Sequence, residues 1–110
     1  MNVAHHTVYP VWFEMGRTEL LRTTGITYRD MEAEGMLLAV VDLRVRYRKP
    51  ARYDDELTLH TRLADVGQVK IVHHYELKRD GVLLATGEST LACLDRNGNI
   101  KPVPEMLKAL

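Results

Sequence analysis

Two adjacent histidines, His5 and His6, stand just before a segment whose apolar spacing predicts a helix over residues 9–22. The amino end of a helix carries free backbone N–H groups and the positive end of the helix dipole. Both stabilise the negative charge that develops on a carbonyl oxygen under attack. His6 could position such a carbonyl or assist a base, or it could only satisfy a loop carbonyl. The start of this helix is therefore the first candidate site.

The histidines also raise the question of a metal site. His5 and His6 form one adjacent pair, and His73 and His74 form another. Adjacent residues on a strand point to opposite faces, so neither pair chelates one ion easily. No carboxylate or cysteine stands at a supporting spacing, and the sequence therefore predicts no metal site.

The carboxylates nearest to the candidate site have structural interpretations. Glu14 and Glu19 fall within the predicted helix, and Glu14 is three residues before Arg17, a spacing that favours a surface ion pair. Asp54 and Asp55 lie in a predicted turn, where aspartate hydrogen-bonds to its own backbone. We therefore expect none of these four carboxylates to be catalytic.

Composition narrows the class of protein. The chain has 110 residues, of which 45% are hydrophobic and 27% charged, and its fifteen basic residues balance fifteen acidic ones. A formal net charge of zero argues against nucleic-acid binding. The single cysteine, Cys93, cannot form an internal disulfide, and we expect it to fill space in a strand. The sequence contains no apolar run of membrane-spanning length and no signal-peptide core. We therefore expect residues 1–110 to form one soluble, cytoplasmic domain that does not associate with a membrane.

The predicted helix carries a glycine, Gly16, among its bulky apolar residues. A glycine in a helix costs roughly 1 kcal/mol relative to alanine, so we expect the helix backbone to approach a sheet closely there. A second, short helix is predicted over residues 28–34, ended by Gly35.

From residue 36 onward the apolar residues recur with a period of two, which predicts strands. The first, over residues 41–47, alternates apolar residues with Asp42 and arginines, and we expect one wet face. Further strands are predicted over residues 57–63, 69–78 and Val82–Leu94, and Asp80-Gly81 is a strong hairpin signal. One long helix followed by antiparallel strands indicates an α+β fold.

The start of the chain reads MNVAHHTVYPVWFEMGRTELLR. It resembles the helix-opening motif of hotdog-fold acyl-CoA thioesterases of the 4-hydroxybenzoyl-CoA thioesterase type, D-x-M-G-V-V-x-H-x-x-Y-x-x-W/Y-F-E-x-A/G-R-T-E-x-L. Later segments resemble the same family, namely residues 41–47, 50–55 and 87–88 with Cys93 and Asp95. The resemblance implies a hotdog fold in which the first strand, ahead of the helix, is lacking here.

The resemblance also implies a function, which is hydrolysis of acyl-CoA thioesters to free acid and CoA, with no cofactor beyond the CoA of the substrate. It implies that His6 is catalytic and that Val3, Ala4 and Tyr9 line the acyl pocket. Lys70 is expected to bind the CoA phosphates. A homodimer or homotetramer is expected, with the strand over residues 40–48 pairing with its own copy.

Four basic residues lie within this predicted strand or at its end: Arg44, Arg46, Arg48 and Lys49. We interpret them as a solvated strand face. The aspartate of the family motif falls two residues upstream of Met1, so we expect that the chain is truncated, or its start miscalled, and that this form is a poor catalyst. Three alternatives remain open: a related hotdog dehydratase or hydratase, a non-catalytic acyl-CoA binding or assembly module, and an α+β domain of another role, which the helix-opening motif disfavours.

Overall fold

The computed structural model describes residues 4–52 and 54–104. Two helices, α1 (Val8–Arg22) and α2 (Tyr28–Ala33), precede four strands, β1 (Leu37–Tyr47), β2 (Thr58–Val66), β3 (Lys70–Arg79) and β4 (Val82–Leu94). The strands form one antiparallel sheet in the order β1-β4-β3-β2. The α+β layout predicted from the sequence is confirmed, and each predicted element is present within a few residues of its expected bounds.

The long helix α1 packs on the sheet through side chains four residues apart, Tyr9, Phe13, Arg17 and Leu21. The Phe13 ring stacks on Tyr75 of β3, with ring centroids 4.4 Å apart and an interplanar angle of 12°. This spacing places one buried residue on each turn of the helix, which is why a single stripe of α1 forms the core contact.

The helix and the sheet approach each other closely at Gly16. A Cβ added there would overlap the Thr61 hydroxyl and lie 2.9 Å from Leu59 Cδ2, both on β2. The predicted close approach at this glycine is therefore confirmed. Helix α1 also approaches the sheet closely at Gly87 of β4, where an added Cβ would lie 2.7 Å from Phe13 Cζ.

The hairpin predicted at Asp80-Gly81 and the helix end predicted at Gly35 are both present. The Asp80-Gly81 turn has φ angles of +50° and +79°, the left-handed values that a two-residue hairpin between β3 and β4 requires. Helix α2 begins with a capping box in which Thr27 Oγ1 accepts from Asp30 N–H and Asp30 Oδ2 accepts from Thr27 N–H, both at 3.1 Å. It is followed by Gly35 at φ +81°.

The prediction of one wet face on the first strand is wrong, because most of β1 is exposed on both faces. Val41, Leu43 and Tyr47 are 53%, 39% and 48% exposed. β1 is an edge strand, and its pairing with β4 shifts register between Val40 and Asp42. Helix α1 packs toward β2 at the opposite edge of the sheet, so it leaves the outer half of β1 uncovered.

Candidate active site at the amino end of α1

Helix α1 begins with an incomplete cap. Thr7 is the N-cap residue, but its side chain makes no capping hydrogen bond, and the first turn carries no acidic residue. Thr7 N–H donates to His5 Nδ1 at 3.3 Å, and Val8 N–H donates to the His5 carbonyl at 3.0 Å. Pro10 has no N–H to offer. The Tyr9 N–H has no acceptor among residues 4–52 and 54–104, so it is the free donor of this helix end.

A pocket of about 300 Å³ opens at this helix end. Its walls come from the segment before α1, the first turn of α1 and the end of β1 with the residues that follow it: Ala4, His6, Tyr9, Tyr47, Arg48, Lys49 and Pro50. The pocket therefore combines a helix amino end, an imidazole and two cationic side chains.

Hydrogen bonds fix the two walls of this pocket to each other. Ala4 N–H donates to the Ala51 carbonyl at 2.6 Å, and Ala51 N–H donates to the Tyr9 hydroxyl at 3.3 Å. The Tyr47 hydroxyl donates to the His6 carbonyl at 3.1 Å. The Tyr9 and Tyr47 rings meet edge to face with centroids 4.8 Å apart. The approach to α1 is thus held against the end of β1, while the His6 side chain stays exposed.

The structure brings together three of the residues that the sequence analysis assigned to the site, Ala4, His6 and Tyr9. Val3 lies outside the described residues. Within one chain, Lys70 lies far from the pocket that these three residues line. It lies opposite Ala92 in β4, whereas Tyr47 lies opposite Ala85, so the two positions are separated by roughly 23 Å along the strand at about 3.3 Å per residue. Binding of CoA phosphates by Lys70 stays a prediction.

Sequence reasoning missed Arg48 and Lys49 as site residues. It treated them with Arg44 and Arg46 as one solvated strand face, but β1 ends at Tyr47 and the two residues line the pocket. Both backbone N–H groups donate to the Leu84 carbonyl, which holds this turn against the hairpin. The sequence did contain a signal for this. Arg48 and Lys49 directly precede Pro50, where the strand ends, so alternation along the strand does not predict which way their side chains point.

The two histidine pairs behave differently. His73 faces the core and is 7% exposed, whereas the next residue, His74, lies on the outer face between Arg62 and Glu88. The expected opposite orientation is confirmed for this pair. It is wrong for His5 and His6, which lie in the turn before α1 with ring centroids 4.2 Å apart.

No carboxylate of the described residues lines the pocket. The predicted surface pair of Glu14 with Arg17 is wrong, because Arg17 is buried and its Nη1 donates to the Tyr75 hydroxyl at 3.2 Å. Glu19 pairs with Arg22 at 3.4 Å instead. The turn role of Asp55 is confirmed. Its Oδ2 accepts from the backbone N–H of Arg52 and from Arg79 Nη1, and these bonds hold the carboxyl pKa below its usual range.

The thiol of Cys93 lies in the core and is fully buried. Burial raises the pKa of the thiol, which opposes formation of the nucleophilic thiolate. The expectation that Cys93 fills space in a strand is confirmed. Among the described residues, no helix is long and apolar enough to cross a membrane.

Comparison with known proteins identifies the family. Residues 1–110 match the family model described as the thioesterase-like superfamily. The YneP protein of Bacillus subtilis is 36% identical over 104 residues, covering 94% of this chain and 75% of that protein. Acyl-CoA thioesterase YbgC of Haemophilus influenzae is 34% identical over 111 residues, covering 98% of this chain and 81% of YbgC.

Solved structures agree with this match. The DHNA-CoA thioesterase of Staphylococcus aureus superposes with a TM-score of 0.85 at 32% identity, covering 94% of this chain and 69% of that one. The resemblance noted in the sequence is therefore confirmed, and this chain belongs to the thioesterase-like superfamily and has the hotdog fold.

Proposed function

We propose that this protein hydrolyses acyl-CoA thioesters to the free acid and CoA in the pocket at the amino end of α1. The observation that carries the proposal is that one pocket joins the helix end bearing the free Tyr9 N–H to the His6 imidazole and to two cations. YbgC is an acyl-CoA thioesterase and the Staphylococcus aureus protein is a DHNA-CoA thioesterase, which supports the same chemistry here.

The reaction needs two things from the protein. Water attacks the thioester carbonyl carbon, and the carbonyl oxygen gains negative charge until the carbon–sulfur bond breaks. The Tyr9 N–H and the positive end of the α1 dipole stabilise that oxygen. His6 takes the proton from the attacking water and returns it to the departing CoA sulfur, so that a thiol leaves.

Arg48 and Lys49 give the pocket its charge. Coenzyme A carries several phosphate groups, and both side chains line the same wall as Tyr47. An arginine binds phosphate oxygens in a bidentate manner and a lysine acts as a point charge. We propose that these two residues hold the nucleotide end of CoA while the thioester lies at the start of α1.

Steady-state hydrolysis tests the proposal. Several short-chain and aromatic acyl-CoA thioesters are incubated with the protein, and thiol release is followed. A general acid–base group typically contributes about 10²–10⁴-fold, so His6→Ala should lose that much of kcat. His60→Ala is the matched control, because His60 is exposed on the outer sheet face away from the pocket. Equal rates for the wild type and His6→Ala would contradict the assignment.

A second candidate is acyl-CoA binding without turnover. The observation that favours it is the absence of a carboxylate from the pocket walls among the described residues. Equilibrium binding of a non-hydrolysable acyl-CoA thioether, measured beside the hydrolysis assay, separates the two. Tight binding with no thiol release from any acyl-CoA would select the binding module.

We propose that the functional unit is a homodimer, or a homotetramer made from two dimers. β1 is an edge strand of eleven residues whose outer edge pairs with no strand of residues 4–52 and 54–104. It exposes Val40, Val41, Leu43 and Tyr47, an apolar set that an open edge rarely leaves uncovered. Pairing of β1 with its copy would bury this set and place the pocket, which Tyr47 lines, beside the subunit boundary.

Light scattering after size exclusion tests the assembly against the chain mass of 12.6 kDa. Leu43→Lys should shift the protein toward monomer, because a charge on an edge strand opposes pairing. Val82→Lys is the matched control, since Val82 and Leu43 are both 39% exposed. A monomeric wild type would contradict the proposal. We further propose a cytoplasmic location, where the unpaired Cys93 thiol stays reduced.

A further inference from the structure

Arg17 is a buried charge with no ion-pair partner among the described residues. The side chain lies on the core-facing stripe of α1 and is 8% exposed. Its Nη1 donates a hydrogen bond to the Tyr75 hydroxyl at 3.2 Å, and the guanidinium also interacts with the Tyr28 hydroxyl. Nε is buried and has no acceptor among the described residues, and no described carboxylate lies within ion-pair distance of the guanidinium. A buried guanidinium carries a desolvation cost that hydrogen bonds to neutral groups offset in part and that a matching anion would offset further.

The neighbours on the sheet cannot supply that anion. The Tyr75 hydroxyl is already bonded to Ser89 Oγ at 2.6 Å, and both groups are neutral and buried. The nearest ring on the same strand is His73, whose centroid lies 6.3 Å from that of Tyr75. Its Nδ1 is a second buried polar atom without a partner among the described residues.

Two cavities meet at Arg17. The inner one has a volume of about 20 Å³ and is lined by both Arg17 and His73. The outer one has a volume of about 180 Å³ and extends between α1 and α2. Arg17, Tyr28 and Leu38 belong to the walls of both. The inner space accommodates a single oxygen-sized group, and the outer space accommodates a small organic molecule.

The walls of the outer cavity define what it would accept. Met31, Met36 and Leu91 are apolar, whereas Glu14 and Glu32 add two carboxylates. The two glutamates repel a ligand with several negative charges, while one carboxylate reaching Arg17 gains a bidentate partner. The apolar side chains suit a short hydrocarbon portion.

We propose that Arg17, Tyr28 and His73 form a binding site for a small monocarboxylate that enters between α1 and α2. The site shares no wall residue with the pocket at the start of α1. It lies about 12 Å further along the helix, at about 1.5 Å per residue from Tyr9 to Arg17. It is therefore a second site, and it does not depend on the thioesterase proposal.

The protonation states of the neighbours agree with this ligand. Burial, together with the charge of Arg17, lowers the pKa of His73 to about 4, so the ring is neutral at pH 7 and can carry its proton on Nδ1. Burial raises the pKa of Tyr28, so its hydroxyl keeps its proton. Each of the three side chains can then donate a hydrogen bond to a carboxylate oxygen.

The test is a titration of the isotope-labelled chain with sodium propionate, followed by the Arg17 Nε–H resonance and the Leu38 amide. Propionamide, which has the same shape without the charge, and sodium chloride at equal ionic strength are the reference ligands. Saturable binding of one propionate per chain is expected, at least tenfold tighter than binding of propionamide. Equal affinity for propionate and propionamide, or no saturation with either, overturns the proposal.

Variants locate the site. Arg17→Met should weaken propionate binding at least tenfold in a chain whose circular dichroism shows it folded, whereas Arg22→Met, a change at an exposed arginine of the same helix, should leave it unchanged. Because Arg17→Met can also fail to fold, Glu32→Gln gives an independent reading and should tighten binding about threefold by removing a repulsive charge. Unchanged or weaker binding by Glu32→Gln, or full binding by folded Arg17→Met, overturns the assignment.

Discussion

The buried imidazole of His73 makes the stability of the fold depend on pH in a calculable way. Its pKa in the folded chain is about 4, against an ordinary value of 6.5. Between pH 6.5 and pH 4 the His73 imidazole is therefore protonated in the unfolded chain and neutral in the folded chain. The resulting stability is fully present above pH 6.5 and is lost as the pH falls toward 4. The difference of about 2.5 pH units corresponds to about 3 kcal/mol in the free energy of unfolding.

The perturbation is His73→Gln, which removes the titrating group. Urea unfolding is followed by the fluorescence of Trp12, the one tryptophan of the chain, at several pH values between 7.5 and 4.5. Taking the wild type minus the variant cancels every other titrating group. The difference should fall by about 1 kcal/mol between pH 6 and pH 5 and be nearly flat above pH 7.

His60→Gln is the control, because His60 is exposed on the outer face of the sheet. Its difference from the wild type should not show the same slope. A flat difference for His73→Gln between pH 7 and pH 5 would refute the reasoning, since it would mean that the ring is solvated or paired in the folded state.

Three further predictions concern packing, binding and reactivity. Gly16→Ala should lower the free energy of unfolding by up to about 2 kcal/mol in urea titrations. Overpacking against Thr61 costs about 1–3 kcal/mol and outweighs the gain in helix propensity of about 1 kcal/mol, and adding Thr61→Ala should recover most of the loss. If hydrolysis is observed, Lys49→Ala should raise the KM for acyl-CoA several-fold with kcat little changed, and by more than Lys70→Ala does, since Lys49 lines the pocket; the reverse order would favour Lys70. Cys93 should react with a thiol reagent only after denaturation, and rapid labelling of the native protein would contradict its burial.

The parts of the fold that could be predicted from sequence are those set by neighbouring residues. The hairpin at Asp80-Gly81 requires left-handed backbone at both positions. The Asp-Gly pair favours that conformation, so these two residues alone predict the turn. The close approach at Gly16 was predictable because a glycine inside an apolar helical stripe is otherwise unfavourable. The resemblance of the start of the chain to the thioesterase motif assigned Ala4, His6 and Tyr9 to one site, and the three line one pocket.

The parts that were missed depend on contacts between distant segments. Alternation along β1 cannot show that the strand lies at an edge, so the exposure of Leu43 was not predictable. The Glu14–Arg17 pair was favoured from local spacing alone. The repeat of Tyr9, Phe13, Arg17 and Leu21 every four residues does place Arg17 in the buried stripe, and that signal was present in the sequence.

The order of the strands also bears on how the molecule assembles and comes apart. β3 and β4 are joined by a two-residue turn and β2 pairs with its neighbour in sequence, whereas β1 joins β4 only across the whole of β2 and β3. Loop-closure entropy favours late formation of that pairing. Of the two edge strands, β1 also packs less extensively against α1 than β2 does, so we expect β1 to detach before β2. Loss of β1 would take Tyr47, Arg48 and Lys49 away from the start of α1 while β2, β3 and β4 remain folded. The chain can therefore lose its pocket in a partial unfolding step that leaves most of its structure in place.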